Sequence, residues 1–302
     1  MVGPADAHAL QETLAAWGVE PQAVTSGRVF VDRIRATEAN RPLSVGATVE
    51  VFPSTLDTSG KGVRILEERG GILAVEKPAG IPTIPDQRGS AGSLLGILAV
   101  RLGIGDPTRI HTSSRLDTDV SGVVLLALTP AARKALQEAR DAGRYQRHYV
   151  AIASRQPQPP EGLVQAPIGR ALDRRARKAG GSDAVASATR YVSIAQAGKA
   201  AVVAAEPVTG RTHQIRVHMA HLGAPLLGDA LYGASRTVVL PSGAVRALGR
   251  IALHAAWVSV QFRAGKEPWT VSMGVPAELE RLWRELGGDD GAWAKALRAI
   301  GG

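Results

Sequence analysis

The sequence predicts an α+β fold, with a mostly antiparallel, mixed sheet flanked by helices. Three observations lead to this prediction. Segments with the alternation or short apolar runs of β-strands outnumber segments with helical spacing of apolar residues. Most connections between these segments are short. Strands and helices also do not alternate in the strict order that builds a parallel sheet.

The composition is that of a globular protein with a sizeable core. The 302 residues are 45% hydrophobic and 21% charged, enough for one large domain and a smaller one. The absence of cysteine excludes disulfides and thiolate metal sites. No apolar run reaches the roughly 18–20 residues of a membrane helix, and the first residues lack a signal-peptide pattern. We therefore expect a cytoplasmic protein without a membrane partner.

The charge balance points to a polyanionic partner. The net charge is +9, and arginine is much more frequent than lysine. Guanidinium groups make bidentate contacts with phosphate and stack on bases, which suits nucleic acids. A general compositional bias toward arginine would give the same charge without functional meaning. Charge alone therefore supports nucleic-acid binding only modestly.

The N-terminal part reads as a compact unit followed by a linker. Residues 10–17 have helical spacing and end at Gly18, and residues 25–36 and 43–51 have strand character. Residues 53–69 are rich in Ser, Thr, Gly and Lys, which is typical of a linker.

The remainder alternates irregularly between strand and helix patterns. Strands are predicted at 72–77, 123–128, 145–153, 188–194, 200–207 and 251–260, and helices at 93–102, 131–142, 212–222 and around 279–283. Residues 154–187 look irregular, with a basic stretch at 174–181 that reads as an exposed loop, either simply solvated or contacting phosphates. The tail after residue 286 is predicted to hold at most one short helix.

Asp117 is the first candidate for a reactive group. It lies in a polar, turn-prone loop, residues 111–122, that runs directly into the apolar strand at 123–128. A loop anchored at the mouth of a buried strand can hold a side chain rigidly. A solvated turn carboxylate that caps the next element explains the loop equally well.

Three kinds of chemistry compete for the polar residues. A metal site could use His213, His218 and His221, but no acidic residue follows at ligand spacing. A serine nucleophile is not favoured, because no Gly-x-Ser-x-Gly turn follows a strand. The third possibility is a carboxylate held by an arginine in a basic cleft that accepts nucleic acid.

Four segments resemble the RluA-type pseudouridine synthases. The strongest is Gly210-Arg-Thr-His-Gln-Ile-Arg-Val-His-Met-Ala-His-Leu-Gly223, with its continuation through Leu-Gly-Asp229 to Leu-Tyr-Gly233. Val-Glu-Lys-Pro-Ala-Gly at 75–80, Arg-Leu-Asp followed by Ser-Gly within 115–122, and Leu-His-Ala at 253–255 match the other family motifs. Together they cover about residues 70–265, and residues 27–51 are similar to the later half of an S4-type RNA-binding module.

The resemblance implies the pseudouridine synthase fold and an isomerase that converts uridine to 5-ribosyluracil in structured RNA, rRNA more than tRNA. No cofactor or metal is expected, and we expect a monomer. The implied domains are an S4-like module at 1–52, a linker at 53–69, the catalytic domain at 70–285 and a tail at 286–302.

The resemblance also implies three catalytic residues. Asp117 matches the catalytic aspartate, which acts as a nucleophile or stabilises charge at the sugar. Arg216 matches the arginine that pairs with this carboxylate and stabilises its negative charge. Tyr149 matches the aromatic residue that stacks on the target base and assists proton removal at C5.

Four further residues are expected to bind the substrate. Arg115 matches the arginine that helps to fill the gap left by a flipped nucleotide, and Ile215 matches the apolar residue beneath the base. Arg211 and His213 belong to the same long motif and are expected to contact the RNA.

The catalytic motif departs from the family pattern at two positions. Ser114 stands where the family has histidine before Arg-Leu-Asp, and Val120 stands where it has threonine. The spacing of Arg115 and Asp117 is retained, so we interpret the changes as loop variation. They leave open an alternative function, that of an RNA-binding member of the fold with weak or lost activity.

Overall fold

The computed structural model describes residues 9–20, 22–25, 29–32, 34–36, 38–51, 62–85, 92–104 and 106–299. Its helices are α1 (Leu10–Ala16), α2 (Gln22–Thr25), α3 (Leu94–Arg101), α4 (Pro130–Asp141), α5 (Gln214–His221), α6 (Ala277–Glu285) and α7 (Gly291–Arg298), with 3₁₀ turns at Pro107–Arg109 and Ala230–Tyr232. None of these helices, in the part of the chain that is described, has the length and apolar character needed to cross a membrane.

The strands are short near the N-terminus and longer in the main body. They are β1 (Val29–Val31), β2 (Ile34–Arg35), β3 (Val49–Val51), β4 (Arg64–Arg69), β5 (Ile72–Lys77), β6 (His111–Thr112), β7 (Ser121–Ala127), β8 (Tyr145–Ala153), β9 (Glu161–Val164), β10 (Ile168–Arg170), β11 (Arg177–Ala179), β12 (Thr189–Ala197), β13 (Ala200–Pro207), β14 (Thr237–Val239), β15 (Val245–Ala247), β16 (Leu253–Val260) and β17 (Trp269–Ser272).

The N-terminal unit is a small antiparallel sheet with its own core. Its strand order is β2-β1-β3, and Leu10 and Leu14 of α1 belong to the same buried cluster as Val29 and Val31 of β1. The predicted helix and the two strand segments are thus confirmed. Residues 26–28, which begin the S4-like motif, and linker residues 53–61 lie outside the described residues. The likeness to an S4 module stays a prediction.

One mixed sheet forms the main body. Its order is β4-β5-β7-β16-β8-β13-β12-β9, with β6 added to β7 and β17 added to β16. Every described pairing in this sheet is antiparallel except that of β7 with β16, which is parallel. The predicted α+β class with a mostly antiparallel mixed sheet is confirmed.

Strand alternation gives the sheet two different faces. On β8, Tyr149 and Ala151 join a core that α3 and α5 cover, and we call this side the cleft face. Val150 and Ile152 join the core under α6 and α7 on the opposite side, which we call the back face. Helix α4 covers the back of β5 and β7. Since successive strand residues point to opposite sides, the central strands β5, β7, β8, β13 and β16 contribute to cores on both sides.

Two sequence predictions are corrected. Residues 64–69 are not linker but form β4, which pairs with β5 as a largely exposed edge strand. The basic stretch 174–181 is not only a loop, because β11 within it pairs with β10. The short helix predicted in the tail after 286 is confirmed as α7, and its Trp293 is buried in the back-face core.

Gly122 brings β7 and β16 together just after the loop that carries Asp117. Its φ is 136°, and a Cβ at this position would lie 2.3 Å from the Ala255 carbonyl oxygen. Only glycine allows the backbones to approach this closely. The parallel contact fixes the mouth of β7, and with it the end of the loop, against β16.

Candidate active site

A buried lysine holds the loop between β6 and β7. We call this loop the Asp117 loop (residues 113–120). Lys77, the last residue of β5, is fully buried. Its amine donates hydrogen bonds to the carbonyls of Pro78 at 2.9 Å, Ile81 at 2.7 Å and Thr118 at 3.2 Å. Burial, assisted by the charge of Arg250, lowers the pKa of Lys77 to about 7. Lys77 thereby ties the loop after β5 to the Asp117 loop.

A second anchor lies immediately before Asp117. The Thr83 hydroxyl donates to the Leu116 carbonyl at 2.7 Å, and the Leu116 amide donates to the Thr83 hydroxyl at 3.1 Å. The side chain of Leu116 is buried in the cleft-face core. Asp117 therefore starts from a fixed backbone position rather than from a mobile turn.

Arg216 joins two carboxylates. Its Nη1 donates to Asp117 Oδ2 at 2.8 Å, while Nε and Nη2 donate to the two oxygens of Asp229 at 2.7 and 2.8 Å. The Asp229 side chain is 1% exposed, whereas that of Asp117 is 25% exposed. Burial opposes the charge on Arg216, but the bonds and charges of both carboxylates raise its pKa above the usual value. Of the three groups, only Asp117 therefore offers an accessible oxygen.

The start of α5 places Arg216. Gln214 is buried, and its Oε1 accepts hydrogen bonds from the Thr209 hydroxyl at 2.6 Å and the Arg211 amide at 3.0 Å. Its Nε2 donates to the Ala188 carbonyl at 2.8 Å. These bonds tie the segment before α5 to β12 and β13. Arg216, two residues later, projects from a helix whose start is fixed.

Asp229 depends on a glycine for its position. Gly228 has φ 81°, and a Cβ there would lie 2.1 Å from the Arg250 carbonyl oxygen. The chain passes close to Arg250 and then turns Asp229 inward toward Arg216. Both residues belong to the recognised sequence motif, but sequence reasoning assigned no role to Asp229.

His213 connects Asp117 with Tyr232. It precedes α5 in the left-handed conformation, with φ 58°. The Arg177 amide donates to the Tyr232 hydroxyl at 2.9 Å, and that hydroxyl lies 2.8 Å from His213 Nδ1. We assign the tyrosine as donor to Nδ1, which places the proton of neutral His213 on Nε2, 3.8 Å from Asp117 Oδ1. Burial lowers the pKa of His213 despite the charge of Asp117, which favours this neutral form.

Tyr149 forms part of the cleft wall on β8. Its side chain is buried among cleft-face residues that include Ile215. Burial raises the pKa of Tyr149, while the charge of Arg147, two residues earlier on the same strand, opposes the rise. The hydroxyl is therefore protonated at neutral pH.

These groups meet in one open cleft of about 1040 Å³. That volume accommodates a nucleotide with its neighbouring phosphates. All seven predicted site residues line the cleft, namely Arg115, Asp117, Tyr149, Arg211, His213, Ile215 and Arg216. Arg175 of the basic stretch 174–181 also lines it, together with three arginines that the sequence did not single out, namely Arg140, Arg147 and Arg236. The structure thus brings a paired carboxylate, an aromatic side chain and a cationic rim together.

Comparison with known proteins identifies the family. The family model described as RNA pseudouridylate synthase matches residues 71–221. The RNA pseudouridine synthase YhcT of Bacillus subtilis is 35% identical over 73% of this chain and 71% of its own length. The ribosomal large subunit pseudouridine synthase D of Xanthomonas campestris is 34% identical over 78% of this chain and 73% of its own length. The chain belongs to the RNA pseudouridine synthase family. It is an isomerase that acts on RNA.

Solved structures show the same fold. Human RNA pseudouridylate synthase domain containing 4 has a TM-score of 0.58 at 20% identity, covering 77% of this chain and 95% of that structure. Human RNA pseudouridylate synthase domain containing 1 has a TM-score of 0.56 at 23% identity, covering 79% and 98%. The pseudouridine synthase fold predicted from the sequence is thus confirmed.

Two of the three histidines once considered for a metal, His213 and His218, have other partners in this pseudouridine synthase. His218 is fully buried; its Nδ1 lies 2.8 Å from the Thr189 hydroxyl and its Nε2 lies 2.9 Å from the Ala166 carbonyl oxygen. Across the described ranges, no group of three histidine or acidic side chains is placed to hold a metal ion. His218 instead links α5 to β12.

Sequence reasoning missed the supporting residues of the synthase site. Asp229 and Tyr232 lie inside the recognised motif, and Lys77 lies in the motif at 75–80, so the sequence could have marked all three as candidate site residues. The sequence could not show which side chains they contact. Tyr232 also stacks on Arg216, whose guanidinium carbon lies 4.9 Å from the ring centroid.

Proposed function

We propose that this synthase isomerises uridine in large-subunit ribosomal RNA, with Asp117 as the residue that acts on the sugar. The observation that carries the role of Asp117 is its accessible carboxylate, held by a buried arginine at the cleft. The choice of rRNA is supported by relatives from Xanthomonas campestris and Nitrosomonas europaea that are named ribosomal large subunit pseudouridine synthase D. An rRNA substrate also fits the cytoplasmic location expected from the sequence.

The reaction needs no co-reactant. The N1–C1′ bond breaks and a C5–C1′ bond forms, while C5 loses a proton and N1 gains one. Asp117 Oδ2 is engaged by Arg216, so Oδ1 is the oxygen available to attack or stabilise C1′. Neutral His213 faces that oxygen at 3.8 Å and orients it without adding a second positive charge. One chain supplies all these groups, in accord with an active monomer.

The base must leave its stack before this chemistry is possible. A base inside a helix is unreachable, so the enzyme extrudes the nucleotide and stabilises it by stacking. Tyr149 offers a ring for stacking, and Ile215 offers an apolar surface beneath the base. Because burial raises the pKa of Tyr149, and the charge of Arg147 only opposes that rise, its ring would meet the base with the hydroxyl protonated. Arg115, exposed at the cleft, would fill the gap left in the RNA.

The cleft rim supplies contacts with the RNA backbone. Five arginines line the cleft beside the candidate catalytic groups, namely Arg140, Arg147, Arg175, Arg211 and Arg236. Such contacts bind phosphate without reading sequence and weaken as salt concentration rises. Target choice would then depend on RNA shape around the extruded uridine.

Tritium release tests the proposal directly. The protein is incubated with transcripts of large-subunit rRNA and of tRNA that carry tritium at C5 of uridine. We expect release from the rRNA transcript, because replacing the C5 proton is inherent in the reaction. Release from tRNA alone would contradict the rRNA assignment. Binding of both RNAs without release would establish the alternative, an RNA-binding member of the fold with lost activity.

A comparison in cells would identify the target. Pseudouridines are mapped in RNA from cells with and without the gene. We expect one or more rRNA sites to revert to uridine when the gene is absent. An unchanged rRNA map with altered tRNA would overturn the proposed substrate.

A further inference from the structure

Tyr145 connects β8 to the start of the Asp117 loop. Its ring packs against the apolar cluster beneath α4, so the body of the side chain is fixed. Its hydroxyl lies 3.0 Å from Ser113 Oγ and 3.2 Å from Ser114 Oγ. A phenol can donate one hydrogen bond and accept others, so one hydroxyl can bond both serines together.

Other groups also hold this end of the loop. The Thr112 hydroxyl donates to the Ser114 carbonyl, and the Ser113 hydroxyl lies 3.3 Å from the Leu125 carbonyl oxygen. Arg140 Nη1 donates to the Ser113 carbonyl at 2.5 Å, although the Arg140 side chain is itself exposed. The Ser113 amide donates to the Leu125 carbonyl at 3.4 Å. Tyr145 therefore supplies a side-chain anchor that comes from the packed core.

Arg115 lies between two anchored residues. Ser114 before it is buried and faces Tyr145, and Leu116 after it is bonded at both backbone groups by Thr83. Arg115 itself is exposed and lines the cleft. The direction in which this long side chain leaves the loop is thus set by its two neighbours, one of which depends on Tyr145.

We propose that Tyr145 is a positioning residue, which aims Arg115 into the RNA cleft by holding Ser113 and Ser114. This inference rests on the proposed function, in which Arg115 occupies the space vacated by the extruded nucleotide. Ser114 stands where the resemblance led us to expect histidine. The shorter serine reaches a partner in the core because the Tyr145 hydroxyl extends to meet it.

The test is a double-mutant cycle on the tritium-release rate. Rates are measured in single turnover with excess enzyme and the rRNA transcript, using the Tyr145→Phe, Arg115→Ala and doubly substituted proteins. We expect Tyr145→Phe to slow the reaction about fivefold, the rate equivalent of one hydrogen bond. In the Arg115→Ala background the same change should have no further effect, because Tyr145 acts through Arg115.

Tyr191→Phe is the matched control. The Tyr191 hydroxyl donates to the Pro159 carbonyl at 2.9 Å, in a region that does not line the cleft. This variant also loses one tyrosine hydrogen bond, so its melting temperature should fall while its single-turnover rate stays unchanged. The comparison separates positioning from general stability, since melting curves of both tyrosine variants show whether they are folded at the assay temperature.

The outcomes are distinguishable. An unchanged rate for Tyr145→Phe, or an equal loss with and without Arg115, would overturn the positioning role while leaving the proposed function standing. No release by the unmodified protein would overturn the proposed function, and this inference with it. A fivefold loss that disappears in the Arg115→Ala background would establish the positioning role.

Discussion

The cleft face and the back face of the main sheet differ most clearly at two adjacent residues of β8. Tyr149 points into the cleft, whereas His148 points to the back, stacks on Trp257 at 5.2 Å and has its Nε2 2.9 Å from the Ala296 carbonyl oxygen. Burial lowers the pKa of His148, so this ring behaves as a neutral packing element. One strand therefore lines the candidate active site on one side and a packed core on the other.

The two faces use burial for different ends. The back face packs rings against each other, with Trp283 and Trp293 centroids 6.4 Å apart, which stabilises the fold. The cleft face instead buries Arg216 with Asp229, and desolvating such a pair offsets much of its attraction. The described residues therefore place apolar cores on both faces, and the cleft face in addition buries a charged pair that orients Asp117.

The largest effect is expected from Asp117→Asn. We expect tritium release to fall at least ~10³-fold, since the amide cannot serve as nucleophile or stabilise positive charge at C1′. RNA affinity and melting temperature should stay nearly unchanged, because the side chain is partly exposed and Asn keeps its shape. Single-turnover rates, filter binding and thermal melting are the measurements. A variant that retained turnover would remove Asp117 from its assigned role.

Asp229→Asn should reduce both stability and activity, although Asp229 lies on the cleft side of the sheet. The substitution leaves the buried Arg216 charge partly uncompensated, a loss of about 3–5 kcal/mol when such pairs are broken. Urea unfolding and the tritium-release rate should therefore both decline. Glu138→Gln is the control, because its exposed pair with Lys134 at 3.8 Å should contribute little. If the Asp229→Asn protein were as stable as the wild type, the bidentate pair of Arg216 with Asp229 would not contribute as we expect.

Trp283→Ala should affect stability without affecting chemistry. The ring is fully buried on the back face, and its Nε1 donates to the Asp289 carbonyl at 2.9 Å. Large-to-small changes of this kind cost about 3–5 kcal/mol of unfolding free energy. At a temperature where urea titration shows the variant folded, the tritium-release rate per folded molecule should match wild type. A reduced rate there would show that the two faces are coupled.

The smallest effect is expected from His254→Gln, which should change how the unfolding free energy depends on pH. His254 lies near the contact of β7 with β16. Burial, assisted by the charge of Arg250, lowers the pKa of His254 to about 3. As pH falls below about 6.5, the unfolded chain binds a proton that the folded chain cannot, so stability falls. Between pH 7 and 5, His254→Gln should lose about 2 kcal/mol less unfolding free energy than wild type. Equal losses in urea titrations would contradict the buried neutral form.

Much of the fold and of the site followed from local pattern. The apolar run at 123–128 predicted β7, and helical spacing after Thr212 predicted α5. The family resemblance brought Asp117, Tyr149 and Arg216 together before any geometry was known. By contrast, β4 was misassigned as linker, because an exposed edge strand has no apolar face and is recognised only by its pairing with β5. The short helix in the tail was predicted, but its packing into the back-face core was not.

Strand and helix periods are local properties of the chain, so the sequence alone predicts which residues alternate between the two faces. The family resemblance indicated which motif residues line the candidate site, but their contact partners depend on the tertiary structure. Arg216 meets Asp117 across 99 residues, and Tyr145 meets Ser114 across 31. Such contacts depend on strand order, register and the close approaches at Gly122 and Gly228, which no local period encodes. The open question of what supports the Asp117 loop was therefore answerable only in three dimensions.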